Sequence, residues 1–434
     1  VKTIFKPKYL ILILLSCCLT LINQIIFHYV ATSDSIRFLE LARQYTEFRF
    51  FDPSINAAGH RFYSLFLAII GSLVSYHPYF IGFVQTIIFC LSAIFLIREL
   101  ELHYKRNLYG LAVLLFLVPE IHIFNGMVFT ESLSFSIMLL AFGMAVRINN
   151  QKASLFNLFM VSLFVGISVI NRIECAFCVF PIFYFIYPKI KDQLLLSAGT
   201  IMSLPIIILL INGEMNYKTF NIFKLTSFHG GVVLFSGNND NLDGSHHSFE
   251  KYMDVYIPKQ KIADLNAILA LPPSQLYPKR DSFYSSMAFD AWKKSPINQL
   301  GVIPQKLAKN WLLPGFFDIY TSDTTLTRGL QLNKILSPTY FKNAWYAPYK
   351  HFLYLLIHWT LLLIILLGIF RMNRKDRFQI AVLSLLAFYF MFTIPFCGLP
   401  RWHVTIFPLL LIAFIPYVWV EKVNVFISKF VIKN

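Results

Sequence analysis

Unbroken apolar runs of about 18 residues or more recur along the chain, and nothing else in the sequence limits its fold so severely. A helix of that length spans a hydrocarbon core about 30 Å thick. The composition agrees: 57% of the 434 residues are hydrophobic and 14% are charged, against about 25% charged in a typical soluble chain. Too little polar surface exists to cover a water-exposed globule of this size. The formal charge of +16 does not point to nucleic acid. No basic stripe or nucleic-acid motif is present, and the basic clusters sit at the ends of apolar runs, where the positive-inside rule wants them.

The first run, 9–30, is too long for a signal-peptide core and is expected to remain as an uncleaved first helix. Lys2, Lys6 and Lys8 precede it, which puts the N-terminus in the cytoplasm. Further spans are expected at 79–98, 108–124, 128–148, 154–171, 173–188, 193–212, 350–370, 378–396 and 402–420. Lys105 and Arg106, Arg147 and Lys152, Lys189 and Lys191, and the group Arg371, Arg374, Lys375 and Arg377 then all fall on the cytoplasmic side. The alternation holds only if the short run 62–76 does not cross, so it is read as a re-entrant or interfacial helix on the outer side. The expected fold is an all-α polytopic protein of the plasma (bacterial inner) membrane, with about ten transmembrane helices and both termini cytoplasmic.

Three parts follow. Residues 1–212 form an N-terminal membrane module of seven spans, with an outer interfacial loop at 31–61 and the re-entrant segment 62–76. Residues 213–349 are polar and rich in Pro, Tyr and Trp, and are expected to form a small, mainly α domain on the outer, periplasmic face. Residues 350–434 carry the last three spans. Within the first outer loop, 33–48 is patterned as an interfacial helix that the Ser33 hydroxyl would cap. In the outer domain 282–294 and 304–311 read as helices. Cys175 and Cys178 lie inside an expected span and read as small apolar filler rather than a redox or metal pair.

Charged groups near hydrocarbon are costly and usually functional. Here they collect at the outer ends of spans: Asp34, His60, Arg61, Glu131, Arg172, Glu174, Arg401 and His403. The positive-inside rule disfavours Arg172 and Arg401 in short outer loops, so both need a reason. A lipid phosphate at that depth would supply one, because a guanidinium fork matches phosphate oxygens. A neighbouring carboxylate could take a proton from a hydroxyl or hold a divalent cation. Structural ion pairs between helix ends are the plainer alternative.

The order and sidedness of several short motifs resemble the GT-C superfamily of membrane glycosyltransferases, nearest to bacterial relatives of the protein O-mannosyltransferases and of the lipid A aminoarabinose transferases. The motifs cover nearly the whole chain. They are Asp34 after the first helix, the stretch from Gly59 through Tyr63 leading into a membrane-embedded helix, and Thr130 with Glu131 at the start of a span. Asn171, Arg172 and Glu174 follow, then Ser236 to Asn239 with Lys306, and finally Pro400, Arg401 and His403. The sequence departs from the family pattern in lacking a second acidic residue next to Asp34 and prolines near Tyr63.

The resemblance implies a GT-C-like fold and inverting transfer of a sugar from a polyprenyl-phosphate donor to an acceptor hydroxyl at the outer face, as in lipopolysaccharide or other glycan biosynthesis. Asp34 would be the catalytic base or a ligand to a divalent cation (Mg or Mn), with Glu131 beside it. Arg172 and Arg401 would hold the donor phosphate, and His60, Arg61, Glu174 and His403 would border the substrate cavity. The acceptor would be a glycan, lipid or protein, with the lipid bilayer as the third partner. Two rivals stand beside this reading. An O-antigen ligase or polymerase would concentrate essential arginines and a histidine in the large loop, and a transporter would show inverted repeats around a midplane site. A string at 239–250 has EF-hand spacing but begins with Asn239 and places His246 where an apolar residue is usual, so it reads as a surface turn. His246 and His247 likewise read as solvated loop residues.

Overall fold

A computed structural model describes residues 7–27, 33–53, 60–151, 153–238, 257–312, 347–396, 400–415 and 417–431. Among these residues the regular structure is entirely helical. The first half contains α1 (Pro7–Phe27), α2 (Ser33–Thr46), α3 (Arg61–Leu73), α4 (Pro78–Tyr104), α5 (Tyr109–Phe116), α6 (Pro119–Asn125), α7 (Thr130–Asn150), α8 (Leu155–Asn171), α9 (Val179–Ile190) and α10 (Leu194–Phe220). The second contains α11 (Gly230–Gly237), α12 (Lys259–Leu269), α13 (Pro273–Lys294), α14 (Pro296–Gly301), α15 (Ile303–Leu312), α16 (Ala347–Phe370), α17 (Arg377–Thr393), α18 (Phe407–Phe414) and α19 (Tyr417–Val431). Short 3-10 turns lie at Ile173–Cys178, Lys191–Gln193 and Pro400–Thr405.

Five helical stretches among the described residues are long and apolar enough to cross a membrane: Pro7–Ile25, Pro78–Tyr104, Thr130–Asn150, Ile173–Phe220 and Leu353–Phe370. This is fewer than the ten spans expected, for physical reasons. Helices α8 and α17 have 17 residues each, short of the roughly 20 that a full crossing takes. The stretch Ile173–Phe220 has 48 residues and contains two of the expected spans. Ile190 (φ −118°) and Gln193 (φ −133°, ψ 40°) leave helical geometry between them.

The expected spans 108–124 and 402–420 are each broken at a residue that precedes proline. Proline's ring pushes that residue out of the helical region. Val118 is extended (φ −72°, ψ 111°) before Pro119, and Ile415 (φ −62°, ψ 122°) before Pro416. Past the second break, Phe407–Phe414 and Trp419–Ile427 lie 86° apart in direction. At the first, the Phe116 carbonyl lies 2.6 Å from His122 Nε2, whose Nδ1 lies 3.1 Å from Thr20 Oγ1.

The outward faces of these helices are apolar. Leu10, Ile11 and Leu14 on α1, Ile206, Ile207, Leu210 and Ile211 on α10, and Leu353, Leu356 and Leu363 on α16 are all exposed. Continuous apolar surface of this kind is unusual on a water-soluble monomer and suits lipid as the solvent. Between the helices a large core is filled by Phe89, Phe135, Phe142 and Phe185. A second, smaller core joins Val232, Phe235, Leu265, Tyr284 and Ala288 of α11, α12 and α13. Gly231 allows α11 to lie directly on α13, since a Cβ there would stand 2.0 Å from the Asp281 carbonyl oxygen.

The helix bundle has two distinct ends. At one, the Tyr104 hydroxyl donates to both Asp376 oxygens (2.8 and 3.0 Å). The same carboxylate caps α17 by accepting from the Phe378 and Gln379 amides. Tyr109 donates to the Lys8 carbonyl (3.1 Å), Asn424 pairs with Gly110 and Asn107, and Arg377 donates to the Tyr184 carbonyl. Of the basic groups used to orient the chain, Lys8, Lys105, Arg106 and Arg377 therefore lie at this end. At the other end, Gln24 donates to the carbonyls of Pro78 (3.2 Å) and Gly126 (2.7 Å), and Ser35 donates to that of Val128. Helix α3 has 13 residues, and the chain both enters it and starts α4 at this second end, so α3 does not carry it across. Helix α2 packs along α3, with the Phe38 ring 5.3 Å from that of Tyr63.

Candidate functional site

A cavity of about 390 Å³ opens at the second end. Its wall takes side chains from segments far apart in the chain: Asp34 and Arg37 of α2, His60, Glu131 of α7, and Arg172 and Glu174 after α8. Leu225, Thr226, Ser227, His229 and Gly230, with Phe392 and Phe396, close other sides.

Local structure explains why the charges sit here. Glu131 lies in the first turn of α7, where the free N–H groups favour a carboxylate. Arg172 ends α8 in extended geometry (φ −149°, ψ 116°) with its amide still bonded to the Ser168 carbonyl (2.8 Å). A cation suits that C-terminal position. Asn171 locks the two helix ends together by donating to the Thr130 carbonyl (3.0 Å) and the Ser134 hydroxyl. Arg172 then lies between two carboxylates, with Nη1 2.6 Å from Glu131 and Nε bonded to Glu174. The trio is buried, with Glu131 1% and Arg172 8% exposed. Burial opposes the guanidinium charge, but Glu174 and Glu131 more than offset this and raise its pKa.

His60 Nδ1 lies 2.9 Å from the Asn171 carbonyl. That carbonyl can only accept, so Nδ1 carries the proton and Nε2 keeps a lone pair. Burial pushes the pKa of this imidazole below its usual value, against the opposing pull of the Asn171 bond. Asp34 is partly exposed, 3.9 Å from Arg37 one helical turn on. Among the described residues, the lining holds three carboxylates (Asp34, Glu131 and Glu174) and two guanidinium groups (Arg37 and Arg172).

Five of the eight residues singled out from the sequence thus line one cavity: Asp34, His60, Glu131, Arg172 and Glu174. Two of the others do not. Arg61, assigned to the cavity from its place beside His60, is buried behind its wall and donates to the side chain of Asn212 (3.0 Å), which does line it. His403 is buried elsewhere, 3.2 Å from Glu120. Its segment packs against α7, and His403 does not line the cavity. Of Arg401, only the backbone, in the turn Pro400–Thr405, is within the described structure. The Ser33 cap, the string 239–250 and His246 and His247 lie outside it.

The sequence reading passed over Arg37, although three residues after Asp34 puts it on the same helical face. It also passed over Glu120 and His358, both inside apolar runs, where an ionisable group is a functional signal by default. Asn238 and Lys306, quoted for the family resemblance, do meet. Lys306 Nζ donates to the Asn238 side-chain oxygen (2.9 Å), which also accepts from Trp292 (2.9 Å). The pair joins α11, α13 and α15 to the end of α17 rather than lining the cavity. Cys175 and Cys178 are buried as free thiols. Comparison of the chain with protein-family models, curated proteins and solved structures finds no match.

Proposed function

We propose that this chain is a membrane glycosyltransferase that moves a sugar from a polyprenyl-phosphate donor to an acceptor hydroxyl at the outer face of the membrane. One observation carries the reading: carboxylates and guanidinium groups from three distant segments line a single cavity at the end of the bundle opposite the basic loops. Its volume falls within the range of small-molecule sites. The topology that goes with it has ten crossings, cytoplasmic termini and the 213–349 domain outside.

In this scheme the acceptor oxygen attacks the anomeric carbon as the bond from that carbon to the phosphate oxygen breaks. The hydroxyl proton passes to the Asp34 carboxylate, and polyprenyl phosphate leaves with the bonding electrons. The leaving group is already an anion, so stabilising its charge matters more than protonating it. Arg172 is committed to Glu131 and Glu174, which makes it a positioning group at the cavity wall. The phosphate contact falls to Arg37, the other guanidinium group among the described residues of the lining. A divalent cation, Mg or Mn, held by Asp34 would add positive charge to the cavity and so favour an anionic donor.

The test is release of polyprenyl phosphate from a polyprenyl-phosphate sugar by purified protein, with a hydroxyl acceptor present. Asp34→Asn is expected to lose more than a hundredfold in rate while eluting as a single folded species. An Asp34→Asn enzyme with wild-type turnover would end the proposal.

A further inference from the structure

Glu120 of α6, His358 of α16 and His403 of the turn Pro400–Thr405 bring one carboxylate and two imidazoles together in the core. None of the three lines the cavity described above. Their facing donor atoms all lie within 4.8 Å of one another. Glu120 Oε2 is 3.0 Å from His358 Nδ1, and Glu120 Oε1 is 3.2 Å from His403 Nε2.

The backs of the imidazoles set the chemistry of their fronts. His358 Nε2 lies 2.9 Å from the Trp311 carbonyl, and His403 Nδ1 lies 2.6 Å from the Asn310 carbonyl. A carbonyl only accepts, so both of these nitrogens carry protons. In the neutral tautomers, His358 Nδ1 and His403 Nε2 then present lone pairs toward a carboxylate that also only accepts. Acceptors facing one another in a dry interior need a cation between them. His403 Nε2 makes no aligned hydrogen bond to Glu120 despite the short distance, so a shared proton uses that contact poorly.

We infer that these residues form a binding site for a zinc-class metal ion. Two histidines and one glutamate are a recognised zinc ligand set. Bonds of about 2.0–2.1 Å in tetrahedral geometry put ligand atoms roughly 3.3 Å apart, close to the two separations found here. Donation of the far ring nitrogen to a backbone carbonyl is the arrangement that orients metal-bound histidines. Imidazole ligands select zinc and related transition metals over Mg. The ion would pin α6, α16 and the 400–405 turn together. This site is independent of the transferase reading and survives its failure.

The experiment is metal analysis of the full chain, purified in detergent on a tag without histidines, loaded with zinc and freed of excess. About one zinc per chain is expected. Asp34→Asn should retain it, whereas His403→Ala and Glu120→Gln should hold more than tenfold less under the same wash. Wild-type protein without bound zinc after loading, or folded variants that bind it as well as wild type, would overturn the inference. Should both variants aggregate, cobalt loading of the wild-type chain decides. Visible bands of tetrahedral cobalt support the site, and their absence refutes it.

Discussion

Arg172 is the side chain whose loss should be felt most. Removing one partner of a buried ion pair costs about 3–5 kcal/mol, because the remaining charges have no compensation. Arg172→Met alone should therefore lower thermal stability sharply. Adding Glu131→Gln and Glu174→Gln should recover most of the loss, since a neutral, hydrogen-bonded set carries no buried charge; unfolding in detergent measures both. His60 gives a pH signature. Its folded pKa is depressed by burial, so the unfolded chain binds the extra proton first as pH falls below about 6.5. Stability should be level above that pH and decline below it until the folded pKa is reached. His60→Gln should remove that slope. At this scale the sequence was legible wherever a charge stood at the end of an apolar run, because such groups are few and must be answered by a partner. It marked the end of the bundle but not the wall, so His60 and Arg61 looked alike although only His60 lines the cavity. Glu120 and His358 stayed hidden because they belong to different runs, and their meeting across 238 residues is visible only in three dimensions.

The helices themselves follow the apolar runs closely, from α1 to α17. Their interruptions follow local backbone chemistry instead: two X–Pro steps, at Val118 and Ile415, cut runs whose hydropathy is continuous. Close helix contacts depend on single glycines that hydropathy does not mark. A Cβ on Gly368 of α16 would stand 1.9 Å from the Phe414 carbonyl oxygen, whereas one on Gly199 of α10 would meet nothing within 4 Å. Gly368→Ala is therefore expected to destabilise by about 1–3 kcal/mol or more, as overpacking does. Gly199→Ala should be neutral or stabilising by up to about 1 kcal/mol through helix propensity. Melting temperatures of the two variants, measured side by side, check the pair. Helix α2 was legible as a helix from its mixed pattern, and it packs along α3.

For the whole molecule, the division into a basic end and a cavity end was readable from loop charges. The fine count of crossings was not, because Ile173–Phe220 runs as one helical stretch and two other spans are broken. Sidedness can be measured directly. In intact cells expressing a chain with its native cysteines replaced, Arg374→Cys should resist a membrane-impermeant maleimide and Leu269→Cys should react. Equal labelling of both would contradict the orientation. The pairing of Tyr104 with Asp376 has a mechanical consequence. It fastens two parts of the chain 272 residues apart at the end remote from the cavity, beside the Asn424 and Lys8 contacts. Under the proposed function, a bundle clasped there would work as a clothes-peg, admitting a long-chain guest by splaying of its free jaws with the clasped end as the pivot.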